Sequence, residues 1–179
     1  MSKVKINYDS PLAYYELAYF AKDFINENTI IVCIGTDKFI GDCLGPLVGT
    51  LLKKSNFPLP VFGTLEQPCH ALNIDSTLEK IFKKYPKANI IGIDACIGED
   101  NTIGELQARD TPIHPGKGVG KSLPSVGNCS IIGIVDSSDG IHLFTQKNIR
   151  LSLVMSMSTI IHDALLHAYY LSKLHNTSV

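Results

Sequence analysis

Two aspartates that come after apolar runs are the residues in this sequence best suited to chemistry. Asp42 lies a short loop beyond the run Thr29–Ile34, and Asp94 ends the run Ala88–Asp94. An ionisable carboxylate beside an apolar strand is costly unless it is paired or used. If the two strands are neighbours, both carboxylates face one cleft. There they would titrate as a coupled pair, one acting as base and the other as acid on a water molecule.

Each aspartate also has a purely structural interpretation, and the sequence leaves both interpretations open. Asp42 precedes an amphipathic segment, so its side chain could cap that helix, which is typically worth ~1 kcal/mol. Asp94 could instead accept hydrogen bonds from loop amides. A divalent metal that activates water could also bind between Asp42 and Asp94. Since the chain has no C-x-x-C or H-E-x-x-H motif, a dedicated zinc site has little support, and we expect no cofactor.

The elements that must position these carboxylates alternate along the chain. Continuous apolar, β-branched runs are typical of strands buried on both faces of a parallel sheet. Apolar residues that recur every three or four positions predict helices. The pattern predicts strands at Thr29–Ile34, Pro58–Gly63, Ala88–Asp94, Ile103–Ala108, Ser130–Val135 and Ile141–Phe144. It predicts helices from Ser10 to Phe24, from Leu44 to Lys54, from Ser76 to Lys84 and from Ile149 to Leu174.

This alternation predicts a single domain over residues 1–179 with an α/β fold. The expected architecture is a three-layer α/β/α sandwich around a mainly parallel sheet. In open sheets of this kind, ligands bind beyond the carboxyl ends of the strands, near the point where the strand order reverses. The loops at that edge therefore supply the candidate substrate-binding residues: Thr36, Asp37, His70 and His114.

The segment Pro115–Ser122 is rich in glycine and looks like a phosphate-binding P-loop. The first glycine of that motif would fall at position 115, which is proline, and Pro124 disfavours a helix directly after the loop. We therefore interpret the segment as a substrate-binding loop, with Gly116 and Gly118 against the substrate. Backbone N–H groups of this loop and of Gly35–Gly41 are expected to hold the substrate carbonyl or a developing oxyanion.

The composition excludes several classes of protein. Of the 179 residues, 45% are hydrophobic, which is enough to bury a core and too many for intrinsic disorder. The 16 Lys and Arg balance 17 Asp and Glu, so no basic excess favours a nucleic acid or a membrane surface. No run approaches the ~20 apolar residues of a membrane-spanning helix, and the polar N-terminus does not resemble a signal peptide. Five scattered cysteines indicate reduced thiols in a reducing compartment.

Several motifs, in this order along the chain, resemble known families. Ile34-Gly-Thr-Asp followed by Gly41-Asp-Cys-Leu-Gly-Pro-Leu-Val-Gly49 resembles the opening motif of the YyaC-type sporulation proteins, and loosely that of the hydrogenase-maturation endopeptidases. Ile91-Gly-Ile-Asp-Ala-Cys96 resembles the strand of the spore germination protease that carries its second functional aspartate. Asp110–Gly120 resembles the glycine-rich loop of that protease, and Leu123–Gly127 is more particular to the YyaC-like group.

The resemblance implies a phosphorylase/hydrolase-like fold and an endopeptidase of spore-forming bacteria whose catalytic aspartates are Asp42 and Asp94. It implies a protein or peptide substrate and a cytoplasmic location in the sporulating cell or the spore. A small basic spore protein, attracted to the cleft of Asp37, Asp42 and Asp94, would fit. A catalytically silent binding protein that uses the same cleft and a metal-dependent hydrolase stay open as alternatives. The oligomeric state is not defined, since the apolar last helix could face a partner subunit of a homo-oligomer or only the sheet.

Overall fold

The elements of the fold are those of a mixed α/β domain. The computed structural model describes residues 3–115, 123–137 and 149–176. Its helices and strands are β1 (Lys3–Asn7), α1 (Ala13–Ala21), β2 (Thr29–Cys33), α2 (Leu44–Lys54), β3 (Val61–Phe62), α3 (Ile74–Lys84), β4 (Asn89–Gly98), β5 (Glu105–Arg109), β6 (Cys129–Ser137) and α4 (Leu151–Asn176). Short 3-10 turns lie at Lys22–Phe24, Ile40–Asp42 and Asp100–Thr102. The strand expected at Ile141–Phe144 lies outside the described residues.

The strands form one sheet in the order β1-β5-β6-β4-β2-β3. β6, β4, β2 and β3 run parallel, whereas β5 is antiparallel to both β6 and β1. The chain leaves β2 toward β3 at one edge, and it leaves β4 toward β5 and β6 on the other side. The strand order therefore reverses between β2 and β4, and ligands of parallel sheets bind at such a point.

Helices cover both faces of the sheet, because successive residues of a strand point to opposite faces. Ile31 and Ile91 belong to a buried cluster that includes side chains of α1, α2 and α4. Ile30 and Ile90 belong to a second cluster on the other face, with side chains of α3. All of β6 is buried, as expected of a strand covered on both faces. The predicted sandwich with a mainly parallel sheet is confirmed.

The N-terminal region differs from the sequence prediction. β1 was not expected, because Lys3–Asn7 alternates exposed and half-buried residues at the edge of the sheet instead of forming an apolar run. Helix α1 begins at Ala13 rather than at Ser10. Ser10 lies in the preceding turn, where its carbonyl accepts the N–H of Ala13 over 3.0 Å. The spacing of the apolar residues identified the helix, but its first residue is set by the turn that this hydrogen bond closes.

Helix α4 is long and apolar enough, by length and composition, to cross a membrane over Leu151–Leu174. This corrects the expectation that no run approaches that length. Length and composition also select core helices, and here 39% of the apolar window is buried inside the domain. The buried side chains belong to the cluster shared with α1, α2 and the sheet: Val154, Met157, Ile161, Ala164, Leu165 and Ala168. One face of α4 therefore packs in the core of the domain.

Candidate active site

The pairing of β2 with β4 sets the position of Asp94. Cys33 lies opposite Ile93, and the N–H of Ile34 donates to the Ile93 carbonyl over 2.7 Å. β2 ends there, whereas β4 continues to Gly98 alongside β6. Asp94 thus lies inside β4 rather than at its end, which corrects the strand boundary expected from the sequence. Asp94 is half-buried, at the point where β2 no longer runs beside β4.

The loop after β2 folds back and returns Asp42 to the strand end. The N–H of Thr36 donates to the Asp42 carbonyl over 3.0 Å, and the N–H of Gly35 donates to the Cys69 carbonyl over 2.8 Å. Gly35 has a φ of 131°, and a Cβ at this residue would lie 2.0 Å from the Asp42 carbonyl oxygen. Only glycine permits both the backbone conformation and this close approach. The turn therefore fixes Asp42 near the end of β2.

Asp42 does not cap helix α2. The N-cap position is held by Cys43, and no side chain makes a capping hydrogen bond there. Asp42 instead ends the turn Ile40–Asp42, in which its own N–H donates to the Phe39 carbonyl over 3.0 Å. The capping interpretation of the sequence is therefore wrong, and the Asp42 carboxyl group is left for another role.

The carboxyl groups of Asp42 and Asp94 interact electrostatically. Burial raises the pKa of Asp42 to about 6, against the opposing effects of the Thr36 N–H and the charge of His70. Burial raises the pKa of Asp94 well above its ordinary value, and the negative charge of Asp42 raises it further. Because the charge of Asp42 acts on Asp94 and hinders its ionisation, Asp42 ionises first while Asp94 still holds a proton. The pair thus supplies a base and an acid in one place.

Asp94 also makes the amide contact that its structural interpretation predicts. Its Oδ1 accepts the N–H of Ala95 over 2.8 Å. This hydrogen bond lowers the pKa of Asp94, but burial and the charge of Asp42 outweigh it. The contact orients the carboxyl group without removing its coupling to Asp42.

Cys69 and His70 reach the site from the side of β3. Cys69 forms a parallel bridge with Ile34, next to the hydrogen bond that its carbonyl accepts from Gly35. His70 is half-buried, and its charge lowers the pKa of Asp42, which places the imidazole near that carboxylate. In the neutral form of the ring, the Nδ1 atom of His70 accepts the N–H of Leu72 over 3.3 Å. Of the loop residues predicted to bind substrate, His70 is thus brought to the aspartate pair.

The thiols near the pair are protonated at neutral pH. Burial raises the pKa of Cys69 to about 11, with the charge of Asp94 adding to the rise. Burial also raises the pKa of Cys43, with contributions from Asp37 and Asp42. Because the thiolate is the nucleophilic form of cysteine, the reactive groups of this site are the carboxyl groups.

Several N–H groups of the loop that follows β2 already donate hydrogen bonds within the protein. In addition to the bonds of Gly35 and Thr36, the N–H of Lys38 donates to the Thr36 Oγ1 over 3.4 Å. The N–H groups of Gly35, Thr36 and Lys38 are thus engaged within the protein, and the binding of an oxyanion by the rest of this loop stays a prediction. Asp37 is exposed, and its charge acts on the thiol of Cys43. Thr36 therefore shapes the loop, and Asp37 lies at its outer side.

The remaining predicted binding residues lie in the chain after β5. His114 is exposed and follows Ile113, which bridges with Val126 on the face of the sheet that α3 covers. Within the part of the chain that the structure describes, no contact joins His114 to Asp42 or Asp94. Gly116 and Gly118 lie outside the described residues, so their part in substrate binding stays a prediction.

Sequence reasoning missed another buried aspartate near this edge. Asp136 lies opposite Ile97 at the end of β6, beside the part of β4 that extends past Asp94. Asp136 and Ser137 are 6% and 4% exposed, and the Ser137 N–H donates to the Asp136 Oδ1 over 2.8 Å. The sequence pattern that identified Asp94 is also present here, because Asp136 directly follows the apolar run Ile131–Val135.

Asp42, Asp94 and His70 are the groups that a cation at this edge would meet. Within residues 3–115, 123–137 and 149–176, no group of three or more His, Cys, Asp or Glu side chains is arranged to hold a metal ion. Hard divalent cations are usually bound by several oxygen ligands in a defined geometry. The described donor set therefore fits acid–base chemistry by the carboxyl pair better than a resident metal.

Comparison with known proteins gives a family without an assigned activity. The family described as "Protein of unknown function (DUF1256)" matches residues 5–164, which include both aspartates. The chain is also similar to the "Uncharacterized protein YyaC" of Bacillus subtilis (strain 168), with 42% identity over 137 residues that cover 76% of this chain and 67% of the relative. No solved structure matches the chain.

Proposed function

This chain belongs to the DUF1256, YyaC-type family, and from that premise and the geometry of its site we propose that it is a hydrolase that cleaves peptide bonds. Asp42 and Asp94 are its catalytic residues. One observation carries the proposal: burial raises the pKa of both carboxyl groups, and the charge of Asp42 raises that of Asp94 further. The resemblance to the spore germination protease supplies the peptide substrate and the sporulation context.

The reaction uses one proton shared by the pair. Ionised Asp42 removes a proton from water, whose oxygen bonds to the carbonyl carbon of the substrate, while Asp94 gives its proton to the carbonyl oxygen. The tetrahedral intermediate then collapses and the C–N bond breaks. The proton held by Asp42 goes to the leaving amine, and the proton on the former carbonyl oxygen returns to Asp94. Both carboxyl groups end in the states in which they began.

Asp94 is the more important of the two for stabilising the developing charge on the substrate oxygen. The backbone N–H groups of Gly35 and Thr36 are already engaged with the carbonyls of Cys69 and Asp42. Proton donation from Asp94 takes over the part that free N–H groups have in an oxyanion hole. His70, whose charge lowers the pKa of Asp42, helps to keep that residue ionised as the base.

The test compares wild type with Asp42→Asn and Asp94→Asn on a protein extract from spores, with products read by mass spectrometry. Asp9→Asn, at an exposed turn far from β4 in the chain, is the control for the loss of one carboxylate. We expect discrete products from wild type and the control, and a loss of about 100-fold or more in both site variants. Metal chelation should leave cleavage unchanged.

Each other outcome counts against the proposal. Full activity in either site variant would overturn the assignment of the aspartates. An absence of products over the acid to neutral range would favour a silent binding protein. Products that form only with an added divalent metal would favour a metal-dependent hydrolase.

A further inference from the structure

A groove runs along the open side of β3, which ends the described sheet. β3 pairs with β2 on its other side, where the N–H of Ile31 donates to the Pro60 carbonyl over 2.9 Å. The groove has a volume of about 1120 Å³ and lies between the C-terminal end of α2 and helix α3. An edge strand offers main-chain groups to an added extended segment. Pro58 and Pro60 lack an N–H, so such pairing is limited to the short stretch of β3 itself.

The walls of the groove are basic. Lys53 and Lys54, at the end of α2, line one wall, and Lys80 and Lys84, on α3, line the other. All are exposed, and Glu66 is the acidic residue among the described lining residues. Four lysines against one glutamate give this groove a local charge of +3, whereas the whole chain has a net charge of −1. The positive charge is thus concentrated here.

The groove lies next to residues that contact the loop of Asp42. Cys69 and His70 are part of its lining. The Cys69 carbonyl accepts the N–H of Gly35, and the charge of His70 acts on Asp42. A chain lying in the groove therefore contacts His70, the residue whose charge acts on Asp42.

We propose that this groove binds an acidic, extended segment of the substrate on one side of the scissile bond. Glutamate or aspartate side chains of the segment pair with the lysines of the two walls, and its backbone lies along β3. This inference rests on the proposed peptidase function and names the substrate class of the same site. It differs from the basic spore protein expected from the sequence, because the charge of the groove has the opposite sign to that of the cleft aspartates.

The test measures binding separately from cleavage. A labelled peptide containing several glutamates and its matched glutamine peptide are titrated against the Asp94→Asn protein by fluorescence anisotropy. The site variant is Lys80→Glu with Lys84→Glu, in the same background. The matched control is Lys83→Glu with Lys87→Glu, which makes the same charge change with exposed lysines that are not among the residues lining the groove.

The expected result is that the glutamate peptide binds at least about tenfold more tightly than the glutamine peptide. Lys80→Glu with Lys84→Glu should remove that preference, and the control pair should keep most of it. Added salt should weaken the binding of the glutamate peptide and leave that of the glutamine peptide unchanged. All four lysines are exposed, and each double variant reverses one charge in the last turn of α3, at Lys84 or Lys83. Both should therefore lose a similar, small amount of stability, so a difference in binding reports on the groove.

Binding and cleavage, measured separately, distinguish the acidic-segment groove from the proposed peptidase function. Equal binding of the two peptides, or an equal loss in the control pair, would overturn the acidic groove whatever the wild type cleaves. Lysine-dependent binding of the glutamate peptide without cleavage by wild type would uphold the groove and overturn the peptidase.

Discussion

The negative charge of Asp42 raises the pKa of Asp94, so the two carboxyl groups behave as one pair although 51 intervening residues separate them in the chain. The pair forms because the N–H of Ile34 bonds to the Ile93 carbonyl, which sets β2 beside β4, and because Gly35 lets the next loop turn back. Asp42 loses its proton first, since burial and Asp42 together hold the proton on Asp94. This order of ionisation determines how activity and stability depend on pH.

The first prediction concerns the pH dependence of cleavage. Activity should rise through about pH 6, as Asp42 ionises and becomes a base. It should fall at higher pH, when Asp94 loses the proton that it must donate. A bell-shaped profile of kcat/KM against pH is therefore expected for the free enzyme. A profile that is highest at pH values where Asp42 is protonated would contradict the assignment of Asp42 as the base.

The second prediction concerns stability. An aspartate has a pKa of about 3.9 in the unfolded chain, whereas that of Asp94 is raised in the folded protein. The folded state therefore binds more protons, and wild-type stability falls as pH rises from the unfolded value toward the folded one. Asp94→Asn removes this cost and keeps an oxygen to accept the Ala95 N–H. It should stabilise the protein at neutral pH by about 1–2 kcal/mol.

Thermal unfolding of wild type and Asp94→Asn at several pH values measures this effect. The variant should have the higher Tm at neutral pH, and the difference should shrink in acid, where Asp94 is protonated in both the folded and the unfolded chain. A difference that stays constant with pH would show that the effect of the substitution is not electrostatic.

The third prediction concerns His70. Its charge lowers the pKa of Asp42, so His70→Gln should raise that pKa and move the acid limb of the activity profile to higher pH. His162→Gln is the matched control, because His162 lies on α4 and contacts Asp163 and Ser55 instead. The pH profiles of the two variants provide the measurement. An unchanged acid limb in His70→Gln would mean that the imidazole does not act on Asp42.

The fourth prediction concerns the turn that carries Asp42. In Gly35→Ala, the new Cβ would lie 2.0 Å from the Asp42 carbonyl oxygen, and the residue has a φ of 131°. We expect destabilisation of about 2–4 kcal/mol, from backbone strain and steric overlap together. Urea unfolding measures it, with Thr36→Ala in the same turn as a control that should lose less than about 1 kcal/mol. Wild-type stability in Gly35→Ala would contradict the close approach of this turn.

Much of this architecture could be predicted from local patterns. The apolar run Thr29–Ile34 predicted β2, which spans Thr29–Cys33, and α2 spans Leu44–Lys54 as expected. Strands and helices can be recognised from residues that are close in the sequence, because side chains repeat every two residues in a strand and every 3.6 residues in a helix. The same local reasoning placed Asp42 and Asp94 beside apolar strands, and applied to β6 it would also have found Asp136.

The sequence by itself determined most of the element types and the two carboxyl groups proposed for catalysis, since these depend on neighbouring residues. Only the tertiary structure decided that β2 pairs with β4, that β4 runs on past Asp94, and that Asp42 is not a helix cap. It also brought Cys69 and His70 to the site and set lysines of α2 and α3 on facing walls of one groove. These relationships depend on strand order and on hydrogen bonds between distant residues, which no local period encodes.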